Sequence, residues 1–306
     1  MSYIVKTEKL SKQMHKQTII SEVNMHVRQG EIYGLVGPNG AGKTSLFQLL
    51  IGLWKPSHGE IEIFGERITN SSYSYLQQIG SMIGEPVFYE NRTGLENLQM
   101  HLDYMGFYDQ QLITETIHRV EIEDQVQKPV RNYSAGVKQR LGLVRAIALK
   151  PKLLILDEPS NNMDPMGIKM LRQIIWNLNQ QYGITVIISS HHMEELEQLA
   201  DTVGVLRDGK LTEEVSVRDI KEDYFRYTEL TIDSSSQVAH LLENELQLSN
   251  YRVISDSTIR IYASTIPTHE IVKMLVTHGI AIHEIKETQD TLEDYILQTY
   301  KGGDDI

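Results

Sequence analysis

At residues 37–44 the chain reads Gly37-Pro38-Asn39-Gly40-Ala41-Gly42-Lys43-Thr44, which fits the phosphate-loop pattern G-x-x-x-x-G-K-[ST] at every position. The apolar run 31–36 (EIYGLV) before it predicts a buried strand, and the run 45–51 (SLFQLLI) after it predicts a helix. Glycines let backbone N–H groups surround phosphate oxygens at the positive end of such a helix. We therefore predict that the chain binds a nucleoside triphosphate.

The pattern also assigns roles to side chains within the loop. Lys43 is expected to reach the β- and γ-phosphates, and the Thr44 hydroxyl can ligate Mg²⁺. Kinases, GTPases, recombinases and transporters share this loop, so the class of protein must come from the rest of the chain. The candidate nucleotide contacts in this segment are Gly37, Pro38, Asn39, Gly40, Ala41, Gly42, Lys43, Thr44 and Ser45.

A second informative segment, residues 153–159, reads LLILDEP. Its four apolar residues predict a buried strand, and the carboxyl end of that strand would bring Asp157 and Glu158 beside the phosphate loop. Asp157 is then placed to hold Mg²⁺, directly or through water. Glu158 is placed to orient and deprotonate an attacking water. A metal role and a base role therefore fall on adjacent residues.

Composition excludes several classes of protein. The 306 residues include 41 acidic and 29 basic side chains, and the net charge of −12 argues against a protein that coats nucleic acid. The absence of cysteine excludes disulfides and thiolate metal sites. The start MSYIVKTEKL has no signal-peptide pattern, and no apolar run approaches the ~18–20 residues that span a bilayer. We therefore expect any membrane role to require another subunit.

Alternating strand and helix patterns predict an α/β fold with a mainly parallel sheet. Strands are expected at residues 3–10, 19–28 and 60–64, which gives a β-rich start. Apolar spacing then predicts helices from residue 93 to about residue 128. The later predictions are a helix at 135–149, a strand at 153–156, a helix at 166–182, a strand at 184–189, a helix at 193–199 and a hairpin turning at Asp208-Gly209.

Charged residues interrupt the apolar rhythm at 217–224, which predicts a boundary between domains 1–219 and 220–306. The second segment is expected to be a small α+β domain of split βαβ, or ferredoxin-like, order. That the tail merely extends the first domain is the alternative. The elements predicted here are strand 227–232, helix 238–245, strands 251–255 and 258–261, helix 266–278, strand 281–285 and helix 292–300.

Three of these segments together resemble the ATP-binding cassette proteins. Residues 37–44 are similar to the Walker A motif and 153–158 to Walker B, and the segment YSAGVKQR at 133–140 resembles the family's signature sequence. Residues 161–164 are similar to the D-loop and 189–191 to the switch-histidine segment. The resemblance covers residues 3 to about 215. It implies a phosphate-loop NTPase cassette with a mainly parallel sheet, an antiparallel β-subdomain and a helical subdomain at about 93–150.

The resemblance also implies how the protein works. Two chains would sandwich two ATP molecules head to tail, with Ser134 and Gly136 contacting the γ-phosphate held by the partner, although Ser134 can also be an ordinary N-cap. His191 would donate to the γ-phosphate and link Glu158 to the water, while His192 begins the next helix. The partners would be a second copy or a homologous ATPase subunit and a multi-span permease at the cytoplasmic face of the membrane. The signature variant YSAGVKQR at 133–140, with GEPVFY at 84–89 upstream, looks most like the subfamily that exports bacitracin, lantibiotics and other antimicrobial peptides or drugs.

Some positions depart from the family pattern. Met14, flanked by His15, stands where an aromatic residue usually stacks on adenine. The Q-loop residue falls on Gly84 or Glu85, and we favour Glu85 as a contact to Mg²⁺ or its water, with a solvated loop acid as the alternative. The helical insertion, which includes Tyr89, resembles the surface that accepts a permease's coupling helix.

Other cassette proteins are not transporters. Those acting on ribosomes usually carry two cassettes in one chain, whereas this chain has one. Those acting on chromosomes need long heptad arms, for which the insertion is too short. A soluble ATPase with a regulatory role through its C-terminal domain is the alternative function.

Overall fold

The computed structural model describes residues 2–69, 71–106, 110–223, 226–262, 266–289 and 291–301. Contacts within the chain divide it into two compact units, Met1–Val215 and Ser216–Ile306. The domain boundary predicted after residue 219 falls inside a helix, Val217–Asp223.

The first unit contains eleven strands and seven α-helices within its described residues, together with two short 3-10 helices at Ser74–Gln78 and Val130–Asn132. The strands are β1 (Tyr3–Met14), β2 (Gln17–Val23), β3 (His26–Arg28), β4 (Ile32–Val36), β5 (His58–Ile63), β6 (Glu66–Arg67), β7 (Ile79–Met82), β8 (Leu153–Asp157), β9 (Thr185–Ser189), β10 (Thr202–Arg207) and β11 (Lys210–Ser216). The helices are α1 (Lys43–Leu50), α2 (Gly94–Met105), α3 (Gln110–Arg119), α4 (Glu123–Val126), α5 (Ala135–Ile147), α6 (Pro165–Tyr182) and α7 (Met193–Leu199).

A six-stranded sheet, in the order β11-β10-β4-β9-β8-β7, forms the centre of this unit. The neighbours from β10 to β7 pair in parallel, as predicted. Asp157 at the end of β8 lies opposite Ser189 at the end of β9, and Ser189 in turn lies opposite Leu35 of β4. Because carboxyl ends of parallel strands meet at one edge, the phosphate loop after β4 and the acids after β8 share that edge.

A second, antiparallel sheet in the order β2-β1-β5-β6, with β3 also paired to β1, contains the β-rich start. Two predictions here were wrong. The first strand runs on to Met14, and the strand expected at 19–28 is two strands. It breaks because the Asn24 side chain accepts a hydrogen bond from the Lys9 N–H at 2.8 Å, and the Met25 N–H turns to the Thr7 hydroxyl at 2.9 Å.

The helical region predicted from residue 93 to about residue 128 contains the three helices α2, α3 and α4. Helix α2 starts with a capping box: the Thr93 hydroxyl accepts from the Glu96 N–H at 3.1 Å, and the Glu96 carboxylate accepts from the Thr93 N–H at 2.7 Å. It ends at Gly106, whose φ of 72° lies in the left-handed region that favours glycine.

The core of the first unit is centred on β1, β2, β4 and helix α1, with Tyr33 and Phe47 among its largest fully buried side chains. The Tyr33 hydroxyl donates to Glu214 Oε1 of β11 at 2.8 Å. Burial, reinforced by the Glu214 charge, raises the pKa of Tyr33 well above its usual value. The hydroxyl is therefore a permanent donor that ties β4 to β11.

The second unit begins with α8 (Val217–Asp223), where the sequence predicted no helix. The remaining elements are β12 (Arg226–Ile232), α9 (Ser235–Leu246), β13 (Tyr251–Ser255), β14 (Thr258–Tyr262), α10 (Thr268–Thr277), β15 (Ile282–Gln289) and α11 (Leu292–Lys301). The strands follow the order β13-β14-β12-β15, with every neighbouring pair antiparallel, and the element order is the split βαβ order. Leu230, Val238, Leu242, Ile259 and Leu275 form the centre of a separate hydrophobic core.

The close approach of β10 to Tyr33 gives a test of the core. A Cβ added at Gly204 would lie 2.1 Å from the Tyr33 hydroxyl oxygen, so Gly204→Ala is expected to lower the free energy of unfolding by about 1–3 kcal/mol. Urea denaturation measures the loss. Tyr33→Phe removes the nearest atom, so the double variant should lose less than the sum of the two single variants. A Gly204→Ala protein as stable as the parent would contradict this packing.

Candidate active site

The phosphate loop has the backbone conformation that its glycines permit. Gly40 and Gly42 have φ values of 83° and 107°, in the left-handed region. A Cβ at Gly37 would lie 2.2 Å from the carbonyl oxygen of Leu206. These positions therefore require glycine for backbone reasons, and Gly42 directly precedes the first turn of α1.

Lys43 lies inside the loop with only 6% of its side chain exposed. Its ammonium donates to the carbonyl oxygens of Gly37 at 2.7 Å and Pro38 at 3.3 Å, and lies 3.2 Å from Glu158 Oε1. A buried cation is tolerated only when oxygens surround it. Lys43 is therefore held by its own loop on one side and by the acid after β8 on the other.

The Asp157 carboxylate is buried and receives a hydroxyl at each oxygen. Thr44 Oγ1 donates to Oδ2 at 2.6 Å, and Ser189 Oγ donates to Oδ1 at 2.7 Å. Ser189 Oγ also accepts from the Glu158 N–H at 2.9 Å. One buried hydroxyl thus positions both acids. The sequence analysis assigned no role to Ser189. Its position at the end of a predicted parallel strand, at the same edge as the acids, could have indicated one.

Glu158 turns its carboxylate toward two partners. Its φ of 47° is left-handed, which is unusual outside glycine and occurs often at functional sites. Oε1 faces Lys43, and Oε2 pairs with Nδ1 of His191. Burial alone would raise the pKa of Glu158, but the His191 hydrogen bond and the Lys43 charge outweigh it and hold the pKa below its usual value. Glu158 is therefore ionised at neutral pH.

The two histidines after β9 have different surroundings. His191 reaches Glu158, whereas His192 is the N-cap residue of α7, as expected for a residue that begins the next helix. Their rings are in contact, with centroids 3.9 Å apart and planes inclined by 44°. The structure therefore joins Lys43, Glu158 and His191 in one chain of contacts, beside the pair of Thr44 and Asp157.

The segment that resembles the signature lies at the start of α5. Ser134 is its N-cap residue, and its hydroxyl accepts from the Val137 N–H at 3.3 Å. A Cβ at Gly136 would lie 3.0 Å from the carbonyl oxygen of Asn162, and Gln139 Nε2 donates to the Pro159 carbonyl at 3.1 Å. Within the described residues, neither Ser134 nor Gly136 hydrogen-bonds to the phosphate loop of the same chain.

The structure does not bring Glu85 to the other predicted metal ligands. Glu85 is exposed in the loop after β7, and in the described part of the chain no hydrogen bond or ion pair joins it to Thr44 or Asp157. Met14 lies at the end of β1, before a turn in which His15 and Lys16 have φ values of 47° and 69°. The metal role of Glu85 stays a prediction.

The donors present fit Mg²⁺ better than a transition metal. Among the described residues no cluster of three or more His, Cys, Asp or Glu side chains could hold a metal ion. Mg²⁺ takes one or two protein oxygens and completes its shell with water and substrate phosphates. Thr44 and Asp157 supply two such oxygens beside the phosphate loop.

Known proteins resemble this chain in sequence and in fold. The ABC transporter family model matches residues 20–161. The ABC transporter ATP-binding protein YcbN of Bacillus subtilis (strain 168) is 45% identical over 302 residues, covering 99% of this chain and 98% of the relative. The bacitracin transport ATP-binding protein BcrA of Bacillus licheniformis is 39% identical over 303 residues, covering 99% of each chain. A solved ATP-binding subunit of an ABC transporter superposes with a TM-score of 0.65 at 27% identity, covering 72% of this chain and 92% of that chain.

The chain therefore belongs to the ABC transporter family, as one of its ATP-binding, ATP-hydrolysing subunits. This confirms the resemblance, the fold class and the ATPase function inferred from the sequence. Subunits of this family work with a membrane permease and dimerise. No helix in the described ranges is long and apolar enough to cross a bilayer.

Ser189 offers a test of how the acids are positioned. Ser189→Ala is expected to lower ATP turnover, because Asp157 and the Glu158 N–H both lose a buried partner, and to cost about 1–3 kcal/mol of stability. Thr185→Val is the matched control. That variant also removes a fully buried hydroxyl of β9, one that accepts from the Gly30 N–H at 2.8 Å, at the far end of the strand. Equal loss of turnover in both variants would show a general stability effect.

Proposed function

We propose that this chain hydrolyses Mg·ATP as one half of a head-to-tail pair of ATPase subunits and powers a multi-span permease that exports an antimicrobial peptide or drug. The observation that carries the hydrolytic part is the contact chain from Lys43 through Glu158 to His191, beside Thr44 and Asp157. It supplies a phosphate ligand, a base and its orienting partner at one edge of the sheet.

Triphosphate binding would change the partners of Lys43. The ammonium is shared between loop carbonyls and Glu158. Phosphate oxygens carry more charge than carbonyls, so Lys43 would turn to them. Because the Lys43 charge is one cause of the low pKa of Glu158, losing it raises the proton affinity of that carboxylate. Glu158 thus becomes a better base when the substrate is in place.

Mg²⁺ would be held by Thr44, with Asp157 acting directly or through water, and Glu85 is the further ligand proposed. The ion would neutralise charge on the β- and γ-phosphates. Asp157 is suited to this because Ser189 fixes its other oxygen, so the carboxylate is oriented before the ion arrives.

A second ATPase subunit, either another copy of this chain or a homologue, would complete each site. Ser134 is exposed at the N-terminus of α5, where hydroxyl and N–H donors favour an anion. Since Ser134 and Gly136 make no hydrogen bond to their own phosphate loop, we assign them to the γ-phosphate bound by the partner subunit. Contacts across two nucleotides would then favour the closed pair.

The export role rests on the relatives. BcrA is named for bacitracin transport and matches this chain from end to end. In this proposal the chain is peripheral, at the cytoplasmic face of the membrane, and reaches it through the permease. The regulatory alternative has no support from these relatives, which are named as transporter subunits. The net charge of −12 argues against a nucleic-acid partner, because nucleic acid is itself negatively charged.

We assign permease contact to a coupling surface made of Val87, Tyr89, Met100 and Tyr104. Val87 is 80% exposed and Tyr104 is 89% exposed. The loop that carries Val87 and Tyr89 is nevertheless held firmly. Buried Asn97 hydrogen-bonds both the N–H and the carbonyl of Tyr89, at 2.8 and 3.1 Å, and Arg145 donates to the Val87 carbonyl at 3.0 Å. Exposed apolar side chains on a fixed backbone are typical of a docking site.

Glu158→Gln tests the base assignment. The amide keeps the shape of the side chain but cannot take a proton, so the variant should bind ATP, lose at least ~100-fold in turnover and accumulate as an ATP-bound dimer. Steady-state hydrolysis and size-exclusion chromatography with ATP measure both effects. Glu121→Gln, at an exposed acid of the helical region, is the control. Hydrolysis by Glu158→Gln at the parent rate would disprove the role of Glu158.

Tyr104→Asp tests the coupling surface and the export role. The variant should be lost from membranes that retain the parent protein, while its ATP binding in solution is unchanged, because a buried carboxylate would oppose docking. Trp176→Asp, which changes a half-exposed aromatic on α6, is the control.

Bacitracin should stimulate ATP hydrolysis by the membrane-bound parent protein. If only compounds unrelated to antimicrobial peptides stimulate hydrolysis, the proposed substrate class is wrong, while the proposed permease contact is unaffected.

A further inference from the structure

His192 has no place in the function described so far, yet its backbone is fixed on both sides. Its N–H donates to the Ser190 hydroxyl at 2.9 Å, and its carbonyl accepts from the Glu195 N–H at 3.2 Å. Ser190 is itself buried. The position of the Cβ of His192 is therefore set by the start of α7, and the side chain has little freedom to leave this region.

The imidazole of His192 does not serve the helix. An N-cap side chain ordinarily accepts a hydrogen bond from the first turn, and His192 makes no such bond. Instead its ring lies on the ring of His191, with the centroids 3.9 Å apart. A residue suited to capping, such as Asn or Ser, would stabilise this helix start better, so the histidine is explained by the ring contact rather than by the helix.

His191 has a restraint at one ring atom: its Nδ1 pairs with Glu158 Oε2, and 41% of its side chain is exposed. A hydrogen bond at one ring atom does not fix the plane of the imidazole. The ring of His192, which is in contact with it, supplies a restraint on that plane. Holding a catalytic group in its reactive orientation accelerates a reaction without touching the substrate.

We propose that His192 is a positioning residue, which holds the His191 imidazole in its reactive orientation through ring contact while Glu158 acts as base. This inference rests on the proposed roles of Glu158 and His191 in ATP hydrolysis. It predicts that the ring of His192 matters, while its nitrogen atoms and its helix-capping ability do not.

Three variants separate ring contact from helix structure. His192→Asn removes the ring but supplies a favoured N-cap, so its thermal midpoint should equal or exceed that of the parent protein. Its kcat should nevertheless fall roughly tenfold, and its KM for ATP should not change. The expected loss is smaller than the ~100-fold loss that a 1 Å misplacement of a catalytic group can cause, because His191 keeps its bond to Glu158. His192→Phe keeps a ring and should retain kcat within about twofold. His240→Asn, at an exposed histidine of the second unit, is the control.

A second measurement does not depend on hydrolysis. In nucleotide-free protein labelled at histidine, the His191 ring resonance, identified by its loss in His191→Ala, should shift in His192→Asn and stay near its parent-like upfield position in His192→Phe. A neighbouring aromatic ring in contact with His191 produces that shift through its ring current.

Each outcome decides the proposal. Parent-level kcat in His192→Asn would overturn it, and so would equal losses in the Asn and Phe variants. If His191→Ala loses turnover while His192 variants do not, the proposed function stands and only the positioning role falls. If His191→Ala hydrolyses ATP at the parent rate, the role of His191 in the proposed function is wrong and the positioning role falls with it.

Discussion

The buried ammonium of Lys43 is the constraint on which the site depends. A cation with so little exposure must be neutralised and hydrogen-bonded, and among the residues that the structure describes its partners are carbonyls of the phosphate loop and the acid after β8. The requirement joins two strands, β4 and β8, that are not neighbours in the sheet. β9 lies between them, and its Ser189 completes the connection from that middle position.

The backbone accommodates this arrangement at a local cost. Glu158 adopts a left-handed φ, which an L-residue holds only when its surroundings determine it. Those surroundings are the Ser189 hydroxyl on its N–H and the contacts of its two carboxylate oxygens with Lys43 and His191. The strained backbone of Glu158 is thus stabilised by these hydrogen bonds. They can form because β8 and β9 pair in parallel and end at the same edge of the sheet.

The parts that sequence could predict are those in which chemistry and local pattern agree. Three such local signals are the glycines of the phosphate loop, the apolar run before Asp157 and Glu158, and the helical periodicity at 193–199. Strand β7 was not predicted because it has only four residues and one of them, Gly80, has low strand propensity. Glycine is required there because α5 lies too close to leave room for a Cβ. The break at Asn24 and the role of Ser189 depend on partners far away in sequence. The contact of Lys43 with Glu158 likewise comes from sheet order.

The mutual neutralisation of Lys43, Glu158 and His191 has a consequence for the energetics of binding. Lys43, Glu158 and His191 already satisfy one another, so a triphosphate must supply more than it displaces. It can do so because phosphate oxygens attract Lys43 more strongly than an already shared carboxylate, and because the freed Glu158 then gains proton affinity. In the proposed mechanism, substrate binding and activation of the base would therefore be coupled through the ammonium group of Lys43.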